Sequence, residues 1–91
     1  MIAATDAGAR RLVVEALDEA RVAAAGRDPR IAGYLAGLDD LHIDDLRMDS
    51  LDVMEFCIAI ELSAGVSIVP DDLRRLGTLA NVADAIRKRL A

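Results

Sequence analysis

Aromatic residues are nearly missing from this chain of 91 residues: one phenylalanine, one tyrosine and no tryptophan, 2% in all. Strands draw on aromatic and β-branched side chains, whereas the alanine that fills much of the 54% apolar share packs helices closely. An all-α fold is expected. Cysteine occurs once, at Cys57, which excludes an internal disulfide and makes a reducing cytoplasm the expected compartment. No apolar run is longer than residues 56–60, far short of the roughly 20 needed to cross a bilayer, and the N-terminus lacks the charged-then-apolar order of a signal peptide. No membrane partner is expected. Positive charge is also scarce, with 11 Lys and Arg against 16 Asp and Glu, a net charge of −5 and a pI near 4.6. Nucleic-acid binding rests on cations that neutralise phosphates, so it is excluded as a function class, and a basic protein surface is the expected partner.

Length adds a further bound. A chain of this size forms one domain over 1–91 and buries only about 60–65% of its unfolded surface, so an enclosed catalytic cavity would compete with the core for side chains. Most enzymes are thereby disfavoured. It has no internal repeat, low-complexity segment or linker.

Hydrophobic spacing predicts four helices. Leu12, Val13, Ala16, Leu17, Ala20, Ala23 and Ala24 repeat at helical intervals among charged residues, giving a first helix over about 6–25, capped by Thr5 or Asp6 and stopped by Gly26 and Pro29. Residues 26–48 read as a long loop with at most one loose turn of helix, anchored by Leu38, Leu41, Ile43 and Leu46. Asp49 and Asp52, at i and i+3, start a second helix over about 50–64, which ends at Gly65. A short third helix covers about 71–76 after Pro70, and a fourth, led by Thr78, covers about 78–90 with Arg87, Lys88 and Arg89 in its last turn. The architecture predicted is a small four-helix bundle of three longer helices and one short one.

At about 100° per residue the second helix carries two apolar stripes. Val53, Phe56, Cys57, Ile60 and Ala64 form one; Leu51, Met54, Ile58 and Leu62 form the other, flanked by Glu55 and Glu61. A small bundle needs one buried stripe, so the second is either covered by the third helix and the long loop or left for a partner. Carboxylates along its rims favour the partner, because they give orientation and on-rate to docking and little to burial.

The segment Leu46-Arg47-Met48-Asp49-Ser50-Leu51-Asp52-Val53-Met54-Glu55 resembles the phosphopantetheine attachment segment of acyl carrier proteins, with Asp-Ser-Leu opening the second helix. Ile68-Val69-Pro70-Asp71-Asp72 and Leu76-Gly77-Thr78-Leu79 resemble the same family, and the likeness runs from about Leu38 to Leu90. The resemblance implies that a separate phosphopantetheinyl transferase moves 4′-phosphopantetheine from coenzyme A onto Ser50, and that acyl groups ride on the arm as thioesters. It also implies that Asp49, Leu51, Asp52, Met54, Glu55, Ile58 and Glu61 meet the transferase and the loading, ketosynthase-type and processing enzymes, whose docking patches would be basic. A monomer is expected. Position 47 holds Arg where many relatives carry Gly, and Leu62 extends the apolar stripe at a place where carriers of primary fatty-acid synthesis are more acidic. With an alanine- and arginine-rich make-up and a single lysine, these departures point to a discrete carrier of a polyketide or related secondary-metabolite pathway.

Competing assignments are weaker. His42 has no Cys or His at ligand spacing, so a loop hydrogen-bonding role is favoured over a metal site, and Cys57 reads as a buried small hydrophobe. Asp39, Asp40, Asp44 and Asp45 lack the glycine and bidentate glutamate of a calcium loop. A peptidyl or aryl carrier would more often show a Gly-Gly-rich approach to the serine, and a serine hydrolase would need a nucleophile elbow that Ser50 lacks. A cofactor-free helical interaction module using Leu51, Met54 and Ile58 is the alternative from a different class.

Overall fold

The computed structural model describes residues 5–90. Among them are six α-helices, α1 (Asp6–Glu19), α2 (Ala23–Arg27), α3 (Arg30–Leu35), α4 (Ser50–Ala64), α5 (Pro70–Leu76) and α6 (Leu79–Leu90), with a 3₁₀ turn at Ile43–Leu46 and no strand. The core is a small helical bundle in which α1 packs on both α4 and α6, while α5 touches those last two. Alanine makes this close approach possible. Ala9 and Ala16 on α1, Ala20 at its C-cap and Ala83 on α6 are buried beside Leu12, Val13, Leu17, Phe56, Ile60, Leu79, Val82 and Ile86.

The helix expected over 6–25 is divided in two. Thr5 caps α1 by accepting from the Gly8 amide at 3.0 Å, but the chain turns at Arg21, whose φ is +58°. The Val22 amide reaches Leu17 O and the Arg21 amide reaches Asp18 O, which together form a Schellman ending, and the buried Val22 supplies its hydrophobic contact. Glycine usually marks that ending; arginine hid it.

The expected loop over 26–48 is also more ordered than its pattern suggests, since it holds α3, part of α2 and the 3₁₀ turn. Gly33 lies within α3 because the chain doubles back there: a Cβ at this position would come within 2.9 Å of Asp39 Cβ. Leu41 and Leu46 are buried anchors and Ile43 is half-buried, but Leu38 is 87% exposed. Gly37, at φ +79°, turns the chain, and the Leu38 amide bonds back to Gly33 O. Leu38 anchors nothing.

Two fastenings hold this long segment to the helices. At one, Tyr34 is fully buried; its hydroxyl donates to Arg10 O at 3.2 Å, and Arg10 returns a bond from Nη1 to Tyr34 O at 2.6 Å with its guanidinium 4.9 Å from the ring centre. At the other, the Ile43 amide donates to Gly77 O at 2.9 Å and the Leu79 amide to Leu41 O at 3.0 Å, an antiparallel bridge centred on His42 and Thr78. The same join satisfies the first turn of α6: Asp40 Oδ1 accepts from the Ala80 amide at 2.9 Å and Thr78 Oγ1 from the Asn81 amide at 3.2 Å.

Burial pushes the Tyr34 hydroxyl well above the ordinary tyrosine range, an effect that Arg10 only partly offsets. A raised folded-state pKa contributes stability that is complete below about pH 10 and is lost as pH climbs further. Because Tyr34 is the single tyrosine, tyrosinate absorbance reports its ionisation directly. That band should grow in step with the loss of helical circular dichroism above about pH 10, and Tyr34→Phe should cost about 1 kcal/mol at neutral pH while removing this share of the alkaline decline. Tyrosinate forming in protein that keeps its helical signal would contradict the assignment.

Candidate functional site

The start of α4 is fixed by two carboxylates that exchange bonds with the backbone. Asp49 accepts from the Asp52 amide at 2.8 Å and Asp52 accepts from the Asp49 amide at 3.2 Å, a complete capping box. Ser50, the first residue of α4, lies between them and is exposed. Among the described residues its hydroxyl has no hydrogen-bond partner, and neither do the backbone amides of Ser50 and Leu51. A free hydroxyl beside two unsatisfied N–H groups at the positive end of a 15-residue helix is chemically suited to carry a phosphoester.

An open groove of about 720 Å³ runs beside Ser50 between α4, α5 and the 3₁₀ turn. Met48, Val53, Met54 and Leu73 give it an apolar floor, and His42, Asp44, Arg47 and Arg74 line its polar part. Arg74 pairs with Asp71, and His42 Nδ1 is 3.7 Å from Asp44. Arg47 differs from both, since its guanidinium makes no ion pair among the described residues. Its backbone is left-handed at φ +52°, ψ +41°, a conformation that costs a non-glycine residue about 1–2 kcal/mol. Sequence reasoning singled out Arg47 as a departure, but it left His42 as a loop residue and did not connect Arg74 with Ser50. Their convergence depends on the bridge between His42 and Thr78, which no local pattern announces.

The two stripes of α4 part company. Phe56, Cys57 and Ile60 are buried in the bundle, and Val53 and Ala64 are half-buried. Leu51, Met54, Ile58 and Leu62 are 60%, 54%, 51% and 82% exposed, with Glu55 and Glu61 exposed alongside. Neither α5 nor the long segment covers this face. Met54 belongs both to the face and to the groove, so the two meet one turn into α4. Burial, with the Asp72 charge adding to it, pushes the Cys57 thiol pKa up and keeps the sulfur in its unreactive form.

The sequence profile for "Phosphopantetheine attachment site" matches residues 30–86, a span that takes in the bridge, the groove and all of α4. The chain belongs to that family. Its cofactor is accordingly a covalently held 4′-phosphopantetheine, and the exposed serine, free amides and adjoining groove fit such a group. Acyl carrier proteins of Rickettsia canadensis (strain McKiel) and Rickettsia rickettsii (strain Iowa) are each 37% identical over 51 residues, 56% of this chain; that of Rickettsia typhi (strain Wilmington) is similar to the same degree. The chain spans 59% of the length of each of these relatives. No solved structure matches it.

Loss of the capping box should be measurable in the chain without its arm. Asp49→Ala should lower unfolding stability by about 1 kcal/mol, read as a lower urea midpoint, whereas Asp49→Asn, which keeps an acceptor at the cap, should stay within a few tenths of the parent. Equal losses in both variants would show that the charge of Asp49, not its cap bond, holds the start of α4.

Proposed function

We propose that this chain is an acyl carrier whose arm is borne by Ser50. The exposed hydroxyl with no partner among the described residues, held at the first position of a capped helix, is the observation that carries this reading. Ser63 and Ser67, the other two serines, lie at the far end of α4 and in the segment after it, and neither opens a helix behind an Asp. In the transfer, Ser50 Oγ forms a bond to the phosphorus that carries the pantetheine of coenzyme A, the pyrophosphate bond breaks, 3′,5′-ADP leaves, and the hydroxyl proton passes to a base. A separate phosphopantetheinyl transferase would catalyse this step, because Ser50 has no hydrogen-bonded base among the described residues. The arm supplies a thiol on which an acyl group is held as a thioester.

The chain's own contribution is then presentation. The capping box locks Asp49 and Asp52 onto the backbone, so the helix start that bears the arm is ordered and the serine points away from the core. Leu51, Met54 and Ile58 offer an apolar docking face next to the arm, and Asp49, Asp52, Glu55 and Glu61 place negative charge around it for basic patches on loading, ketosynthase-type and processing enzymes. Docking of this kind favours a monomer that leaves one partner for the next. Acidic Asp49 ahead of the serine supports an acyl over a peptidyl cargo. The pathway we assign is of polyketide or fatty-acid type in the cytoplasm; the strongly exposed Leu62, which extends the apolar face to the end of α4, supports a dedicated set of partners. No helix among the described residues is long and apolar enough to cross a membrane.

Incubation with coenzyme A, Mg²⁺ and a broad-specificity phosphopantetheinyl transferase should raise the intact mass by one phosphopantetheinyl group, and Ser50→Ala should abolish the gain. A parent protein that gains nothing, or a gain that survives Ser50→Ala, would sink the proposal.

A further inference from the structure

The groove beside Ser50 contains an unused cation. Within five residues of Arg47 stand four carboxylates, and each is engaged elsewhere: Asp45 with Arg30, Asp49 and Asp52 with the α4 backbone, and Asp44 facing His42. Of the groove's two arginines, Arg74 is neutralised by Asp71 and Arg47 is paired with nothing among the described residues. A glycine would suit its left-handed backbone, yet an arginine lies there, at the corner between the 3₁₀ turn and α4 and on the same groove as Ser50. A phosphodiester on Ser50 would enter a strongly negative neighbourhood, with Asp44, Asp49, Asp52 and Glu55 close in sequence and exposed or half-exposed. The Ser50 and Leu51 amides can satisfy one of its non-bridging oxygens, which leaves the other without a donor.

We propose that Arg47 is the positioning residue for the arm: its guanidinium donates to the phosphodiester on Ser50, offsets the surrounding carboxylates, and holds the first part of the arm over the groove. This rests on Ser50 as the attachment point. A planar guanidinium is fitted to a phosphate oxygen pair, and a lysine at the same place would supply the charge without the fork. The phosphate is therefore braced from two sides, by the α4 amides and by the residue that ends the preceding turn. The rest of the arm stays free to leave with a docked partner, because Arg47 reaches only its base.

The chain modified by transferase carries one phosphorus atom, so ³¹P nuclear magnetic resonance reads the contact directly. Intact mass and peptide mapping on the same samples first report whether the group is on Ser50; a group found elsewhere overturns both the attachment site and this contact. With the group on Ser50, Arg47→Gly should shift the ³¹P resonance toward that of a free phosphopantetheine serine ester and narrow it, Arg47→Lys should restore part of the shift, and high salt should move the parent toward the glycine variant. The urea midpoint of unmodified Arg47→Gly should equal or exceed that of the parent, since glycine relieves the left-handed backbone; this separates loss of the contact from loss of the fold. A ³¹P resonance unchanged in Arg47→Gly, with the group on Ser50, overturns the role of Arg47 and leaves the attachment site standing.

Discussion

Two backbone hydrogen bonds, from Ile43 to Gly77 and from Leu79 to Leu41, hold the site together. They tie the end of a long, irregular connection to the junction between α5 and α6, at the one place where α6 would otherwise begin with unsatisfied amides. The chain thereby answers two demands with one join: the donors of a helix start are used, and the segment leading into α4 acquires a fixed course. From that course follow the 3₁₀ turn, the left-handed corner at Arg47 and the direction in which Ser50 faces. A chain of this size has no large core with which to brace the segment between α3 and α4, so a bridge of backbone bonds backed by buried Leu41 and Leu46 does the bracing.

Charge is distributed with the same economy. A net charge of −5 would be a poor surface on which to add a phosphate, and around the proposed attachment position the carboxylates of Asp49 and Asp52 are fixed in place as caps of α4 while Asp45 is paired with Arg30. Glu55 and Glu61 are exposed along α4 beside its apolar face, a placement suited to basic partners. One helix thus presents three features along three directions: its inner stripe builds the bundle, its outer stripe stays exposed, and its N-terminus presents a hydroxyl.

Local chemistry was legible in the sequence, and non-local geometry was not. The i, i+3 carboxylates at Asp49 and Asp52 identified the start of α4 because a capping box is made by neighbours in the chain, and Gly65 marked its end for the same reason. The two stripes of α4 could be counted from periodicity, although only packing could say which was exposed. Arg21 concealed the end of α1, since a left-handed residue that is not glycine carries no compositional flag, and Gly33 disguised a helix as a loop because its small size serves a close approach to Asp39. The groove was the least readable feature. It assembles His42, Arg47, Ser50 and Arg74 from three segments whose meeting depends on the bridge.

Cleavage after Arg47 and Arg74 releases residues 48–74 as one peptide that contains all three serines of the chain, Ser50, Ser63 and Ser67. Tandem mass spectrometry of this peptide from the modified protein tests the central claim most directly. The account predicts that the phosphopantetheinyl group stays with N-terminal fragments as short as Met48-Asp49-Ser50; a group found on Ser63 or Ser67, or a peptide without any group, would contradict it.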